Sequence, residues 1–283
     1  MPHPQILPAP PHSRTCLTKC GFWALLGALG ETSAGEGGRA RLQNVPSPPH
    51  SASSAEVVVI IPAKDEASRI AATVRSALQI PDVGAVVVVD DGSSDDTAAL
   101  ARDAGAEVTR HERNRGKGAA MQTGADYVQR HHGCPGGLLF IDADLQDSAL
   151  ATAALVLPVL ADAADMTIAV LPPQASAGGG RGFVVRLARD GIERATGWAP
   201  AQPLSGMRCL TPQAFAAARP LARGWGVEVG LTIDLLGQGR RVLEVPCDLH
   251  HRVTGTDLRA QLHRARQYRD VWLALAVRRL RPR

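Results

Sequence analysis

The chain has 283 residues, 45% hydrophobic and only 4% aromatic, so one large domain or two small ones can form around Val, Leu, Ile and Ala. The formal net charge of +4 suits anionic ligands without demanding nucleic acid. Five scattered cysteines with no C-x-x-C pair indicate neither a disulfide framework nor a zinc knuckle, which fits a reducing cytoplasm, and no apolar run is long enough to span a bilayer.

Residues 1–54 are rich in Pro, Ser, Gly and His and lack periodicity, which predicts an extension without fixed structure. Within them "GFWALLGALG" (21–30), after Lys19 and before "ETSAGEGG", also reads as a signal-peptide core. From Glu56 the character changes. "VVVII" (57–61), bounded by Pro62, predicts a buried strand. Ile70, Val74 and Leu78 recur at helical spacing within 66–78. "AVVVVDDGSSDD" (85–96) predicts a second strand ending in acids and a turn, and residues 95–105 a short helix closed by glycine. "AEVTR" predicts a third strand, 117–130 a helix and "GLLFIDAD" (137–144) a fourth strand. A helix over 148–160 and a strand over 165–171 follow, then a mobile Pro- and Gly-rich loop over 172–182. The remainder predicts a helix near 183–196, strands over 203–210 and 240–247 with a helix at 224–239 between them, and a terminal helix over 256–280. Alternating strands and helices with short links are the pattern of a single α/β domain with a mainly parallel, Rossmann-like sheet. Ligands bind such sheets at strand C-termini, where "PAKDE", "DDGSSDD" and "DAD" all fall, so three polar clusters should converge on one rim.

Asp142 and Asp144 close an apolar run, and two carboxylates one residue apart suit a divalent cation that bridges a diphosphate. Gln146 could add a neutral oxygen; the bland reading is a solvated acidic turn. Asp90 and Asp91 stand before Gly92, where carboxylates can accept hydrogen bonds from a base edge or ribose, or serve a helix start with Ser93, Ser94, Asp95 and Asp96. Arg113, Arg115 and Lys117 sit among glycines before a helix and suit a diphosphate or nucleotide. The segment is not a Walker loop, because position 111 is His and no Ser or Thr follows Lys117. No G-x-G-x-x-G follows the first strand, which weakens a dehydrogenase reading. In "HHR" (250–252) an imidazole can ligate a metal and an arginine can clamp a phosphate, or the three form a solvated loop. The last helix carries Arg259, Arg264, Arg266, Arg269, Arg278 and Arg279. It reads as an attachment to an anionic membrane surface or as a helix packed on the domain with a solvated basic face.

Taken in order, "VVIIPAKDEASRI", "VVVVDDGSSDDT", "NRGKGAAMQTG" and "FIDADLQD" resemble nucleotide-sugar glycosyltransferases of the GT-A fold, family-2-like, over residues 56–270. The resemblance implies that Pro62, Glu66 and Asp91 line the nucleoside pocket, that Lys117 contacts the nucleotide, and that Asp142 and Asp144 hold Mg²⁺ or Mn²⁺. "DADLQ" is similar to polyprenyl-phosphate sugar transferases, in which Gln146 would join the metal. "PLSGMRCL", "GWGVEVGLTID" and "HHRVTGTDL" resemble glucosyl-3-phosphoglycerate synthases. That second likeness implies that Gly206 and Arg208 belong to the acceptor region, Glu228 contacts the sugar and His251 completes the metal shell. Asp144, Glu228 and Arg252 are then the expected catalytic residues. The implied reaction moves a hexose from an NDP-sugar of the UDP-glucose or GDP-mannose type to a phosphorylated acceptor, with no dedicated base. Residues 55–147 would bind the donor and 148–283 the acceptor. The implied partners include a second copy of the chain and a membrane surface met by the basic helix at the cytoplasmic face, but no nucleic acid. A non-catalytic nucleotide-sugar binder is the alternative of another class.

Overall fold

In the computed structural model, residues 56–172, 182–249 and 258–279 are described here, with side chains of the last helix from residue 265 onward. Seven strands form one sheet: β1 (Val57–Ala63), β2 (Val83–Asp90), β3 (Glu107–Arg110), β4 (Gly137–Phe140), β5 (Met166–Val170), β6 (Arg208–Leu210) and β7 (Val242–Pro246). Their order is β3-β2-β1-β4-β6-β5-β7. Every pairing is parallel except those of β6, which runs antiparallel to both β4 and β5. The expected mainly parallel α/β architecture is therefore present.

The central strands β1, β2 and β4 are apolar along nearly all of their length because both faces are covered. Val57, Val59 and Ile61 of β1 pack into one core with Ile70 and Val74 of α1 (Ile70–Ala77). Val58 and Ile60 point the other way, toward Met121 and Ala125 of α3 (Lys117–His131). Helix α2 (Thr97–Asp103) links β2 to β3. A third cluster joins α5 (Phe183–Thr196), α7 (Val227–Gly237) and α8 (Leu258–Arg279) through Ile192, Val229, Val271 and Leu275.

Several elements differ from expectation, each for a local reason. The strand foreseen over 137–144 stops at Phe140; after the Ile141 N–H donates to Ile60 O the chain leaves the sheet, which frees both aspartates for the rim. The helix foreseen over 148–160 is a 3₁₀ segment, Gln146–Leu155, followed by α4 (Val156–Leu160). Ser148 Oγ donates to Leu145 O at 2.6 Å and Thr152 Oγ1 to Ala149 O at 2.7 Å, three-residue returns that favour the tighter winding. The strand foreseen over 203–210 keeps only its last three residues. Helix α6 (Pro212–Ala217) was not foreseen, although its signal is plain: Thr211 caps it by accepting from the Ala214 N–H, and Pro212 follows at the first turn. The expected loop over 172–182 lies almost entirely outside the described residues.

The terminal basic helix packs on the domain. Val271 and Leu275 are buried against α5 and α7, and Arg278 pairs with Asp234 of α7. Of the two readings of this helix, the packed one matches the geometry. None of the described helices is long and apolar enough to cross a membrane.

Candidate functional site

Strands β1, β2 and β4 run parallel, so their C-terminal ends share one rim. A cavity of about 480 Å³ opens there. Pro62 and Glu66 reach it from the end of β1, Asp91 from the end of β2, and Asp142 and Asp144 from just beyond β4. Lys117 enters from the first turn of α3 and Glu228 from the first turn of α7. The three acidic clusters expected on one edge do meet.

Lys117 is the electrostatic centre. Its Nζ lies 2.8 Å from Asp142 Oδ1 and 3.0 Å from Glu228 Oε1. Burial alone would push this ammonium down, but the two carboxylates outweigh it and hold the proton more firmly than on a free lysine. Glu228 is 3% exposed, so an unpaired charge there would be costly, and the lysine neutralises it. Gly206 lies against this pair: a Cβ at that position would sit 2.8 and 3.0 Å from the two Asp142 oxygens and would collide with the lysine. The cradle admits no side chain.

Asp142 and Asp144 are both half-buried and line the same cavity. Two hard carboxylate oxygens beside a cradle closed to any side chain fit Mg²⁺ or Mn²⁺. Among the described residues no three His, Cys, Asp or Glu are grouped to hold a metal, so what the described part of the site offers a cation is this pair of carboxylates. Gln146 is exposed and lines a second hollow, with Asp144 and Asp248, rather than the main cavity. His251 and Arg252 lie outside the described residues.

The other expected contacts are arranged differently. Asp91 Oδ1 accepts the Arg115 N–H and Oδ2 the Gly116 N–H, both at 2.8 Å, and His111 Nδ1 stands 2.7 Å from Oδ1. The carboxylate thus clamps the loop that delivers Lys117. Asp90 is fully buried, accepts the Ser93 N–H and pairs with Arg110, which makes it a structural group. Asp95, foreseen at a helix start, ties two turns together: it accepts the Ala67 N–H and the Thr97 N–H. Glu66 is held by Arg69, with Nη2 at 2.6 Å. Arg208, expected at an acceptor surface, is enclosed instead. Its guanidinium donates to Ser205 O, Glu228 O, Pro203 O and Thr232 Oγ1, and burial pulls its pKa down to about 10 against the pull of Glu228 and Glu244. The residue joins β6 to the first turn of α7 and so holds Glu228 in place.

Residues 58–195 match the family model described as glycosyl transferase family 2. Those residues carry a family 2 glycosyltransferase domain, and the sheet has the GT-A fold. Glycosyltransferase AglJ of Haloferax volcanii is 30% identical over 213 residues, 71% of this chain and 65% of that protein. Succinoglycan biosynthesis protein ExoU of Rhizobium meliloti is 47% identical over 74 residues, 24% of this chain and 22% of that protein. The chain thus spans less than two thirds of the length of either. Glucosyl-3-phosphoglycerate synthase from Mycobacterium tuberculosis, in a crystal structure with Mn²⁺, uridine diphosphate and phosphoglyceric acid, superposes with a TM-score of 0.66 at 26% identity, over 81% of this chain and 80% of that one.

The cavity also includes residues outside the motifs. Trp225 and Asp270 line it, and the Trp225 N–H donates to Asp270 Oδ2 at 3.3 Å. Asp270 lies within the arginine-rich helix, where a lone acid among basic residues is its signal in the sequence. His111 was noticed only as a departure from a phosphate-loop pattern, yet it bridges Asp91 and Thr123, with Nε2 2.9 Å from Thr123 Oγ1.

Proposed function

We propose that the protein is a metal-dependent hexosyltransferase that moves a sugar from a nucleoside-diphosphate donor to a phosphorylated acceptor. We take a UDP-glucose type donor and a small phosphorylated acid as the leading pair. The observation that carries this reading is the Asp142–Lys117–Glu228 chain of contacts beside Asp144, in a cavity at the ends of parallel strands. The similarity to a protein crystallised with Mn²⁺, uridine diphosphate and phosphoglyceric acid supports the same pair.

In this reading Pro62 and Glu66 line the nucleoside end of the cavity, and Asp91 acts through the loop it clamps. Lys117 offers its ammonium to the diphosphate while it bridges Asp142 and Glu228. Asp142 and Asp144, with His251 and Gln146, would hold Mg²⁺ or Mn²⁺, which would neutralise charge on the departing diphosphate. Glu228, held by Lys117 and by the Arg208 contact to its carbonyl, accepts hydrogen bonds from sugar hydroxyls. Arg252 would clamp a phosphate. Gly206 leaves room for the sugar and diphosphate beside Lys117.

A polyprenyl phosphate is the second acceptor considered, because Trp272, Leu273 and Val277 of α8 expose apolar surface. The deciding experiment is NDP release from a panel of nucleotide sugars with Mn²⁺, with and without EDTA. Turnover is expected with one donor, is abolished by EDTA, and falls about a hundredfold or more in Asp144→Ala. Undiminished turnover by that variant would remove the metal assignment, and absence of turnover with every donor would leave a nucleotide-sugar binder.

A further inference from the structure

Beside the donor cavity lies a further hollow, of about 630 Å³ and distinct from the one beside Gln146, that the reading above does not use. Arg113 and Arg115 line one wall, Arg223 the other, and Asn114 and Gly224 belong to both hollows. Among the described residues no acid lines it. The donor cavity, by contrast, is lined by Glu66, Asp91, Asp142, Asp144, Glu228 and Asp270. Elsewhere the chain pairs its arginines freely, as in Arg69–Glu66, Arg219–Asp126, Arg241–Asp165 and Arg278–Asp234. The guanidiniums of Arg113, Arg115 and Arg223 have no such partner among the described residues.

The two walls are built by close backbone contact rather than by mobile side chains. Gly92 has φ +72°, and a Cβ there would sit 2.7 Å from Arg113 C and 2.8 Å from Asn114 N, so the turn after β2 supports the first wall directly. A Cβ on Gly118 would sit 2.7 Å from Ala222 O, so the second wall lies against the first turn of α3. Asp91 takes the N–H groups of Arg115 and Gly116, which fixes the backbone and leaves anion binding to the guanidiniums.

We propose that this hollow receives the phosphate monoester of the acceptor, with Arg113, Arg115 and Arg223 as its ligands. Planar guanidiniums make paired, charge-assisted hydrogen bonds to phosphate oxygens. An acid-free, triply cationic hollow that opens onto the acid-lined donor cavity separates the two anions of the reaction. The diphosphate lies with Lys117 and the aspartates, while the acceptor phosphate lies across Asn114 and Gly224. The proposal rests on the donor assignment above but involves different residues.

The test is titration calorimetry on the full chain with three probes, 3-phosphoglycerate, a short-chain polyprenyl phosphate and inorganic phosphate, with glycerate as the uncharged-end control. Parallel titrations use UDP with Mn²⁺. At least one phosphate probe is expected to bind the parent while glycerate does not, and the probe that binds identifies the source of the phosphate. In Arg113→Gln and Arg223→Gln the dissociation constant of that probe is expected to rise about ten- to a hundredfold. UDP affinity and the melting temperature should stay within about twofold and about 2 °C of the parent, since all three arginines are exposed. Equal phosphate affinity in the variants, binding of glycerate as tight as that of 3-phosphoglycerate, or no phosphate probe binding the parent would each overturn the proposal. Loss of UDP binding by the parent would instead strike the donor assignment.

Discussion

At the scale of single residues, Gly206 and Arg208 show how two neighbours in one strand entry take opposite duties. Gly206 leaves space beside a charged pair, so Gly206→Ala should displace Lys117 and Asp142. A drop of about a hundredfold in kcat/KM is expected, together with a lower melting temperature because the buried Glu228 loses its partner. Arg208 fills space. Arg208→Met keeps volume but leaves the carbonyls of Ser205, Pro203 and Glu228 without their donor, and should cost about 3–5 kcal/mol in urea unfolding. Asp65 adds a pH effect. The hydrogen bond from Lys64, then that from the Ser94 N–H, holds its carboxyl at about 2. A folded pKa below the unfolded value of about 3.9 contributes stability in full above that value, and the contribution is lost as pH falls through about 2. Asp65→Asn should flatten that part of the acid unfolding curve.

At the scale of elements, α8 decides between a free basic helix and a structural one. Leu275 is 3% exposed and lies 2.5 Å from where a Cβ on Gly191 of α5 would be, so the two helices meet closely. Leu275→Ala should destabilise the protein by about 2–5 kcal/mol, whereas Trp272→Ala, at a half-exposed position on the same helix, should stay within about 0.5 kcal/mol. Equal effects would mean that the helix is not docked through its Val271–Leu275 face. The same element supplies Asp270, so a helix that reads as a basic surface feature also lines the cavity at the strand ends. The turn hydrogen bonds of Asp65, Ser93 and Asp95 likewise join the ends of β1 and β2 and hold their rim together.

For the whole molecule, ligand binding at a rim that gathers β1, β2, β4, α3, α7 and α8 should stabilise all of them at once. UDP with Mn²⁺ at about a hundred times its dissociation constant should add about 2.7 kcal/mol to unfolding, seen as a rise in melting temperature that EDTA reverses. Asp142→Asn should show no such rise. Thiol reactivity reports the same closed packing: burial pushes Cys209 up to about 12 and Cys247 up to about 11, while Cys134 is exposed. Of these three, Cys134 alone should be labelled by a thiol reagent in the native state.

The strands and their acidic ends were legible in the amino-acid order. Runs such as 57–61 and 137–140 are apolar at every position, and parallel strands that alternate with helices bring their C-termini to one edge whatever the details. Side-chain partnerships were not legible. That Lys117 joins Asp142 to Glu228, that Asp91 turns to the 115–116 backbone, and that Arg208 faces inward depend on the antiparallel β6 and on α7 packing beside α3. Local sequence encodes period, turns and caps. Which charge meets which across the fold is set by long-range packing, because the cost of burying a charge depends on neighbours that the chain order does not place beside it.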